Sequence, residues 1–203
     1  MTPRNLFLHC ESRVILKLEI LDINQENFQI ALPLYESNTS DNPATIRTSQ
    51  ILSEDIDNDG VIEIPTIETL PDSINVTDDS SEITPLFLTV WSEFDTDILK
   101  IDFKCLYNAA YNYYYIFPYE WNGTITATYR EENSSLRFEM NSGDNASKIE
   151  LFTLKTFTMT EWENYNGNFA KFDEDGVFVY AYTYNGVSEY TKDEFIQNFV
   201  IID

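Results

Sequence analysis

Basic residues are scarce in this chain of 203 residues, in which 12 Lys and Arg stand against 35 Asp and Glu. The formal net charge is −23. Nucleic-acid binding needs clustered positive charge to displace the counterions of the phosphates, so the composition argues strongly against a nucleic-acid partner. It also predicts that the domain itself does not bind an anionic membrane surface. A polysaccharide or a cell-surface protein remains compatible with this charge.

Glycine and histidine are equally scarce, with six glycines and one histidine, His9. None of the glycines forms a P-loop or a G-x-G-x-x-G motif, so no nucleotide cofactor is expected. A catalytic triad or a zinc site would depend on His9 alone, and neither is expected. The chain is therefore predicted not to be an enzyme. A hydrolase that uses a pair of carboxylates stays open as an alternative, because thirty-five acids provide many pairs and no specific signal.

Cysteine is limited to Cys10 and Cys105, without a C-x-x-C motif. Two buried reduced thiols are the simpler interpretation. A disulfide between the two would close a long loop and would stabilise the fold, so both states remain open at this point.

Apolar residues are plentiful, with 43% hydrophobic and 15% aromatic content, and they predict a packed core. Short runs of alternating or apolar residues, separated by turn residues, predict a mainly β fold of the α+β class with antiparallel sheets and hairpins. The predicted strands cover 14–20, 28–34, 61–64, 86–91, 99–106, 111–117, 123–130, 136–140, 149–159, 169–172 and 177–184.

Two short helices are predicted, at about 160–166 and 191–199. Each begins with a Thr that is followed three residues later by a Glu, which is the pattern of a capping box: Thr160 with Glu163, and Thr191 with Glu194. In the second helix Phe195 and Phe199 have the i, i+4 spacing of residues on one face.

An acidic stretch divides the chain. No Lys or Arg occurs between Thr48 and Leu99, and 71–84 within this stretch is polar and begins at a proline. We therefore expect a β-rich segment over 1–70, an acidic linker over 71–84 and an α+β domain over 85–203.

The acidic stretch contains one motif with metal chemistry, D-x-D-x-D-G-x-x-E over 55–63. Alternate side chains of a tight loop converge on one hard cation, and the glycine at the sixth position permits the sharp turn. Three carboxylates in five residues repel one another without a cation. The predicted ligands are Asp55, Asp57, Asp59, the carbonyl of Val61 and Glu63. The motif is not an EF-hand, because the twelfth position is Thr66.

The loop resembles the calcium loops of FG-GAP (integrin-type β-propeller) and VCBS-like repeats, in which the same motif is followed by a short strand. The stretch 47–65 is also similar to secreted or lipid-anchored surface proteins of Gram-positive bacteria, where such a loop precedes a β-rich region of unknown function. The resemblance implies bound calcium and an extracellular or cell-surface location, with any lipid anchor in a region before this chain. It implies no catalytic activity, and a propeller would need several such loops.

The second unusual feature is a tyrosine-rich segment. Tyr111, Tyr113 and Tyr115 share one face of a predicted strand, and Trp121 follows. Aromatic residues at this spacing most often pack in a core. The alternative is a platform that stacks on sugar rings, as in a carbohydrate-binding module.

The sequence thus predicts a calcium-stabilised, non-enzymatic accessory or binding domain of an extracytoplasmic bacterial surface protein. A carbohydrate-binding module that uses the tyrosine-rich strand is the first alternative, and a carboxylate-dependent hydrolase is the second.

Overall fold

The structure is a computed structural model that describes residues 5–12, 15–22, 29–31, 34–35, 51–76, 83–95, 98–141, 148–186 and 190–202. Before residue 51, and at 94, 95, 98 and 141, it describes the backbone alone. The described residues are mostly β structure with two short helices, as the sequence predicts.

The strands are β1 (Asn5–Ser12), β2 (Ile15–Asp22), β3 (Gln29–Ala31), β4 (Leu34–Tyr35), β5 (Ile64–Val76), β6 (Ile83–Asp95), β7 (Ile98–Asn108), β8 (Tyr113–Ile116), β9 (Ile125–Arg130), β10 (Ser135–Asn141), β11 (Lys148–Thr158), β12 (Ala170–Glu174), β13 (Phe178–Tyr184) and β14 (Phe199–Ile201). The helices are α1 (Met159–Glu163) and α2 (Lys192–Ile196). Single 3₁₀ turns lie at Ala109–Tyr111, Tyr119–Trp121 and Glu131–Asn133. None of the described helices is long and apolar enough to cross a membrane.

The chain divides into two compact units. Unit 1 comprises Met1–Glu68 and Thr89–Cys105, and unit 2 comprises Thr69–Leu88 and Leu106–Asp203. Strands β5, β6 and β7 each contribute residues to both units.

Unit 1 contains a three-stranded antiparallel sheet in the order β1-β2-β3. Strands β6 and β7 form an antiparallel pair, and β4 pairs with β7 in parallel at Leu34 and Tyr35. The β6–β7 register shifts between Trp91, which faces Phe103, and Ser92, which faces Ile101. Asp102 is therefore the extra residue of a β-bulge.

Unit 2 contains strands in the order β12-β13-β11-β10-β9-β5, and β8 pairs with β14. Most pairs are antiparallel, as predicted, but only some of them, such as β9–β10, β10–β11 and β12–β13, are hairpins. Strand β5 runs parallel to β9, where Ile74 faces Thr128. The sheet structure is therefore mixed. No sequence pattern predicts this pairing, because three strands lie between β5 and β9 in the chain.

An aromatic core holds unit 2 together. Phe195 on α2 is fully buried, and its ring stacks on Phe152 with ring centroids 4.9 Å apart. Trp121 and Phe138 pack against Phe195 at centroid distances of 4.9 and 5.8 Å. A second, smaller cluster forms around Phe157, Val179 and Ala181.

Both helices are shorter than predicted: α1 ends at Glu163 rather than at about 166, and α2 ends at Ile196 rather than at about 199. Helix α1 begins after Thr158, whose hydroxyl accepts from the Glu161 N–H while the Glu161 carboxylate accepts from the Thr158 N–H. The capping box therefore lies two residues earlier than predicted, at Thr158 and Glu161 instead of Thr160 and Glu163. Helix α2 has the predicted box at Thr191 but ends at Ile196, because the chain turns into β14 at Phe199.

The expected linker and the strand predicted at 61–64 also differ from the structure. Strand β5 begins at Ile64 and continues through Pro65 to Val76, so 71–76 is part of a strand, as is 83–84 of β6. Pro65 is the second residue of its strand, where a missing backbone donor is tolerated. Residues 77–82 lie outside the described residues.

Candidate metal centre

The acidic motif forms a closed loop in unit 1. An isolated antiparallel bridge joins Glu54 to Glu63: the Glu63 N–H donates to the Glu54 carbonyl at 2.9 Å, and the Glu54 N–H donates to the Glu63 carbonyl at 3.2 Å. These two bonds fix the ends of the loop, so the intervening side chains are confined to a small volume.

Inside the loop the acidic side chains accept hydrogen bonds from backbone N–H groups. Asp55 Oδ2 accepts from Gly60 at 3.0 Å, Asp57 Oδ1 from Asp59 at 3.1 Å, and Glu63 Oε2 from Ile56 at 2.9 Å. Gly60 has φ 92°, a left-handed conformation that favours glycine. The carboxylates thus stabilise the turn that brings them together.

Asp55, Asp57 and Glu63 converge on one point. One carboxylate oxygen of each lies within 4.8 Å of the others, and among the described residues these three form a group suited to a metal ion. Glu63 is 1% exposed, Asp55 is half-buried and Asp57 is exposed. A cation in this group would have carboxylate oxygens on its buried side and open solvent on the other, which is the donor chemistry that hard divalent cations require.

A second observation, on the hydrogen bonding of Asp55, also points to a bound ion. Its Oδ1 is buried and accepts no hydrogen bond from the described residues. Buried polar atoms of folded proteins are nearly always paired, because an unpaired one costs about 1–3 kcal/mol. A cation at the centre of the group would satisfy this oxygen, so the residues present fit a hard metal ion.

The electrostatics of Glu63 agree with this fit. Burial raises the pKa of its carboxyl from 4.5 to about 7; the Ile56 N–H lowers it, and the negative charges of Asp57, Asp59 and Asp55 raise it further. Without a cation the loop thus holds more negative charge than its surroundings stabilise. A divalent cation would reverse this balance, since it favours the ionised carboxylates.

One of the predicted carboxylates is placed differently. Asp59 is not part of the group formed by Asp55, Asp57 and Glu63, and its Oδ1 accepts from the Val61 N–H at 2.7 Å. The structure thus brings together three of the four predicted carboxylates. The carbonyl of Val61 stays a prediction.

Asp102 on β7 is a neighbour of the loop that the sequence did not single out. Burial and the charges of Asp57 and Asp59 raise the pKa of its carboxyl, and Lys100 lowers it. Asp102 is the bulged residue of the β6–β7 pair, and bulges redirect side chains near functional sites. No spacing in the sequence connects Asp102 with the loop, so only the fold could reveal it.

A second acidic turn, 173–176, contrasts with this loop. Asp175 Oδ1 accepts from the N–H groups of Val177 and Phe178 at 2.8 and 2.7 Å. Asp175 Oδ2 accepts from the Asn112 side-chain amide at 3.1 Å and from the Tyr180 hydroxyl at 2.9 Å. Both oxygens are paired, so this turn is complete without an ion.

The tyrosine-rich segment lies in the core of unit 2. Tyr113, Tyr115 and Trp121 are 2%, 1% and 4% exposed, and Tyr111 is half-buried against Phe178. The Tyr115 hydroxyl donates to the Phe195 carbonyl at 2.8 Å. A stacking platform needs exposed ring faces, so these positions favour the packing interpretation over the sugar platform.

Cys105 carries a free, fully buried thiol, and burial raises its pKa to about 12. Such a thiol is unreactive, because the thiolate is the nucleophile. The side chains of Cys10 and His9 lie outside the described residues.

Searches of family models, curated proteins and solved structures find no match for this chain. The interpretation of the site therefore depends on its own geometry. It is an acidic loop of carboxylate oxygens that could bind a metal ion, and one buried oxygen of Asp55 has no partner among the described residues.

Proposed function

We propose that this chain is a non-enzymatic binding domain of an extracytoplasmic bacterial surface protein, and that a calcium ion bound at 55–63 stabilises it. The observation that carries the metal part of the proposal is the convergence of Asp55, Asp57 and Glu63, which each place one carboxylate oxygen within 4.8 Å of the others. The buried Oδ1 of Asp55, which accepts no hydrogen bond from the described residues, supports it. The surface location rests on the resemblance of the loop to calcium loops of secreted proteins.

Calcium fits the donor set better than the other hard cations. Calcium accepts six to eight oxygen ligands in flexible arrangements, whereas magnesium demands a near-ideal octahedron and keeps most of its water. Three carboxylates on a turn that also offers carbonyls and open solvent suit the more flexible ion. Extracellular calcium modules bind with Kd of about 10⁻⁴–10⁻³ M, which a partly exposed site of this kind can reach.

The ion would act on the structure of unit 1. It would neutralise the repulsion among Asp55, Asp57 and Glu63 and would hold the loop against the Glu54–Glu63 bridge at the start of β5. The binding free energy would then appear as folding free energy, because the unfolded chain holds no such site.

A hydrolase at the same carboxylates has less support. A carboxyl of pKa about 7 that lies beside other carboxyl groups has the form of an acid–base pair. However, Glu63 is 1% exposed, and its Oε2 is bonded to the Ile56 N–H. A substrate would have no access to the proton that this carboxyl carries.

The direct test is calcium binding to the metal-free full chain, measured by isothermal titration calorimetry. We expect one ion per chain and a Kd at or below the millimolar range. Asp57→Asn should weaken binding at least tenfold, because it removes one charged ligand.

Asp173→Asn is the matched control, since it removes the same charge from the other acidic turn and should leave the Kd within a factor of two. Absence of calcium binding by the wild-type chain would refute the proposal. Equal loss in Asp57→Asn and Asp173→Asn would also refute it, because it would show a response to net charge rather than to a site.

A further inference from the structure

A cavity of about 280 Å³ opens on unit 2, and Tyr113 is the member of the tyrosine-rich segment that contributes to its lining. Its apolar lining includes Leu86, Phe87 and Leu136, and its polar lining includes Asn75, Asn108 and Tyr129. Phe87 is 48% exposed. None of the described residues that line the cavity carries a Lys, Arg, Asp or Glu side chain. An apolar wall with a few convergent polar groups is the usual composition of a small-molecule site.

Asn75 leaves a hydrogen-bond acceptor unused. Its Oδ1 is buried and accepts nothing from the described residues. The orientation of the amide is determined by Glu131, whose carboxylate only accepts and receives a bond from Asn75 Nδ2 at 3.2 Å. A flip of the amide would place two acceptors against each other, so the unpaired atom is an oxygen that needs an O–H or N–H donor.

Two tyrosine hydroxyls provide the opposite kind of group. The Asn108 side-chain amide donates to the hydroxyl oxygens of Tyr113 and Tyr129, each at 3.3 Å. Neither hydroxyl donates its own hydrogen to an acceptor within the described part of the chain. Burial raises the pKa of both Tyr113 and Tyr129, so both hydroxyls stay protonated at neutral pH and remain donors.

These groups define the chemistry of a ligand. An unused acceptor beside an unused donor matches a hydroxyl-bearing molecule, since a hydroxyl both donates and accepts. The absence of a cation from the described lining, and the net charge of −23, disfavour an anion. The volume is at the lower end of the range of about 300–1,000 Å³ for drug-sized ligands, so it suits one small ring.

We propose that this cavity binds a single neutral sugar ring, with Asn75 Oδ1 accepting from one sugar hydroxyl, the Tyr129 hydroxyl donating to another, and Phe87 packing on the apolar face of the ring. Sugars combine a face of C–H groups with a rim of hydroxyls, and aromatic side chains bind the face while amides bind the rim. The site lies wholly within unit 2, so it does not depend on the metal proposal.

The test uses the full chain and the methyl glycosides of glucose, galactose, mannose and N-acetylglucosamine, with binding measured by saturation-transfer NMR and calorimetry. At least one glycoside should bind, in EDTA as well as in calcium. Phe87→Ala and Asn75→Ala should each weaken binding about three- to tenfold, the loss expected for one packing contact or one hydrogen bond.

Tyr119→Ala is the matched control, because Tyr119 is an aromatic side chain of unit 2 that is 83% exposed and does not line the cavity. It should leave binding unchanged. Circular dichroism of each variant would confirm that it folds. Cyclohexanol, which has a ring and one hydroxyl, should bind more weakly than the best glycoside.

Three outcomes would overturn the proposal. None of the glycosides binds at millimolar concentration; binding survives in both cavity variants or is lost in Tyr119→Ala; or cyclohexanol binds as well as every glycoside. The second outcome would place the sugar elsewhere on the chain, and the third would show an apolar pocket without selectivity for hydroxyls.

Discussion

The loop at 55–63 and the turn at 173–176 are both acidic, yet they satisfy their carboxylates in opposite ways. Asp175 receives four hydrogen bonds, from two backbone N–H groups, an amide and a tyrosine hydroxyl. Asp55 keeps one buried oxygen that receives no hydrogen bond from the described residues. Two acidic turns can thus differ in how many of their carboxylate oxygens are paired.

The pKa values of Asp175 and Glu63 differ between the two turns in the same way. Burial alone would raise the pKa of Asp175, but the bonds from Phe178, Val177, Asn112 and Tyr180 outweigh burial and lower it. Burial raises the pKa of Glu63, and one bond from Ile56 does not compensate. A complete set of donors stabilises the charge at 173–176. The loop at 55–63 lacks such a set for Glu63, and a bound cation would have the same effect there.

The largest difference between the two turns should appear on addition of calcium. At a concentration of 100 times Kd, the ion should stabilise the folded chain by about 2.7 kcal/mol. Amide hydrogen exchange, measured by mass spectrometry, should slow at 54–63 and remain unchanged at 173–178. Equal slowing in both segments, or none at 54–63, would contradict the distinction.

Asp175→Asn should destabilise unit 2 by about 1–3 kcal/mol, because an amide group cannot accept all four bonds and the charged acceptor is lost. Denaturant unfolding with and without calcium measures the effect, which should be the same in both conditions. Because the folded pKa of Asp175 is lowered, its contribution is present above the unfolded pKa of 3.8 and disappears as the pH falls through the folded value. Asp173→Asn should have little effect, because within the described part of the chain this carboxylate accepts from the adjacent Glu174 N–H alone.

Glu63→Gln should change the pH dependence of the metal-free chain. The folded pKa of Glu63 is raised, so the stability that its neutral form contributes is complete below 4.5 and is lost as the pH rises through about 7. Glutamine cannot ionise, and at pH 8 the variant without metal should be more stable than wild type by on the order of 1–2 kcal/mol. The same variant should lose calcium binding. If wild type and variant have parallel stability curves from pH 5 to 8, the burial of this charge is not significant.

Gly60→Ala and Gly176→Ala form a matched pair with the smallest expected effect. Their φ angles are 92° and 86°, and an alanine in this region costs about 1 kcal/mol. Each variant should lose about this much stability without calcium, as measured by thermal unfolding. Only Gly60→Ala should also weaken calcium binding, since it distorts the loop that holds the ligands. A loss of affinity in Gly176→Ala would break the contrast between the turns.

The sequence was most informative where chemistry is local. The D-x-D-x-D-G-x-x-E spacing predicted the loop and three of its converging carboxylates, because neighbouring residues of one turn fix their own geometry. It could not show that Asp59 lies outside the group of converging carboxylates, or that Asp102 is a bulged residue near the loop. Both facts depend on hydrogen bonds and on the register of paired strands, which the spacing of residues in the sequence does not determine.

The same limit explains the errors in the fold. Thr158 and Thr160 are each followed by a Glu three residues later, so the sequence offers two capping boxes and only the end of β11 selects between them. Alternation along the tyrosine-rich strand predicted one core face and one open face. Tyr114 is nevertheless 7% exposed and Tyr115 1%, because both faces of β8 are covered.

The discontinuity of unit 1 has a consequence for biosynthesis. Its last strand residues, up to Cys105, follow a segment of unit 2, so the acidic loop leaves the ribosome well before its unit can close. At a synthesis rate of about 5–20 residues per second, several seconds pass between synthesis of the loop and synthesis of the last residues of unit 1. A cut near residue 70 would leave unit 1 without residues 89–105, so fragments for expression need to extend at least through β7.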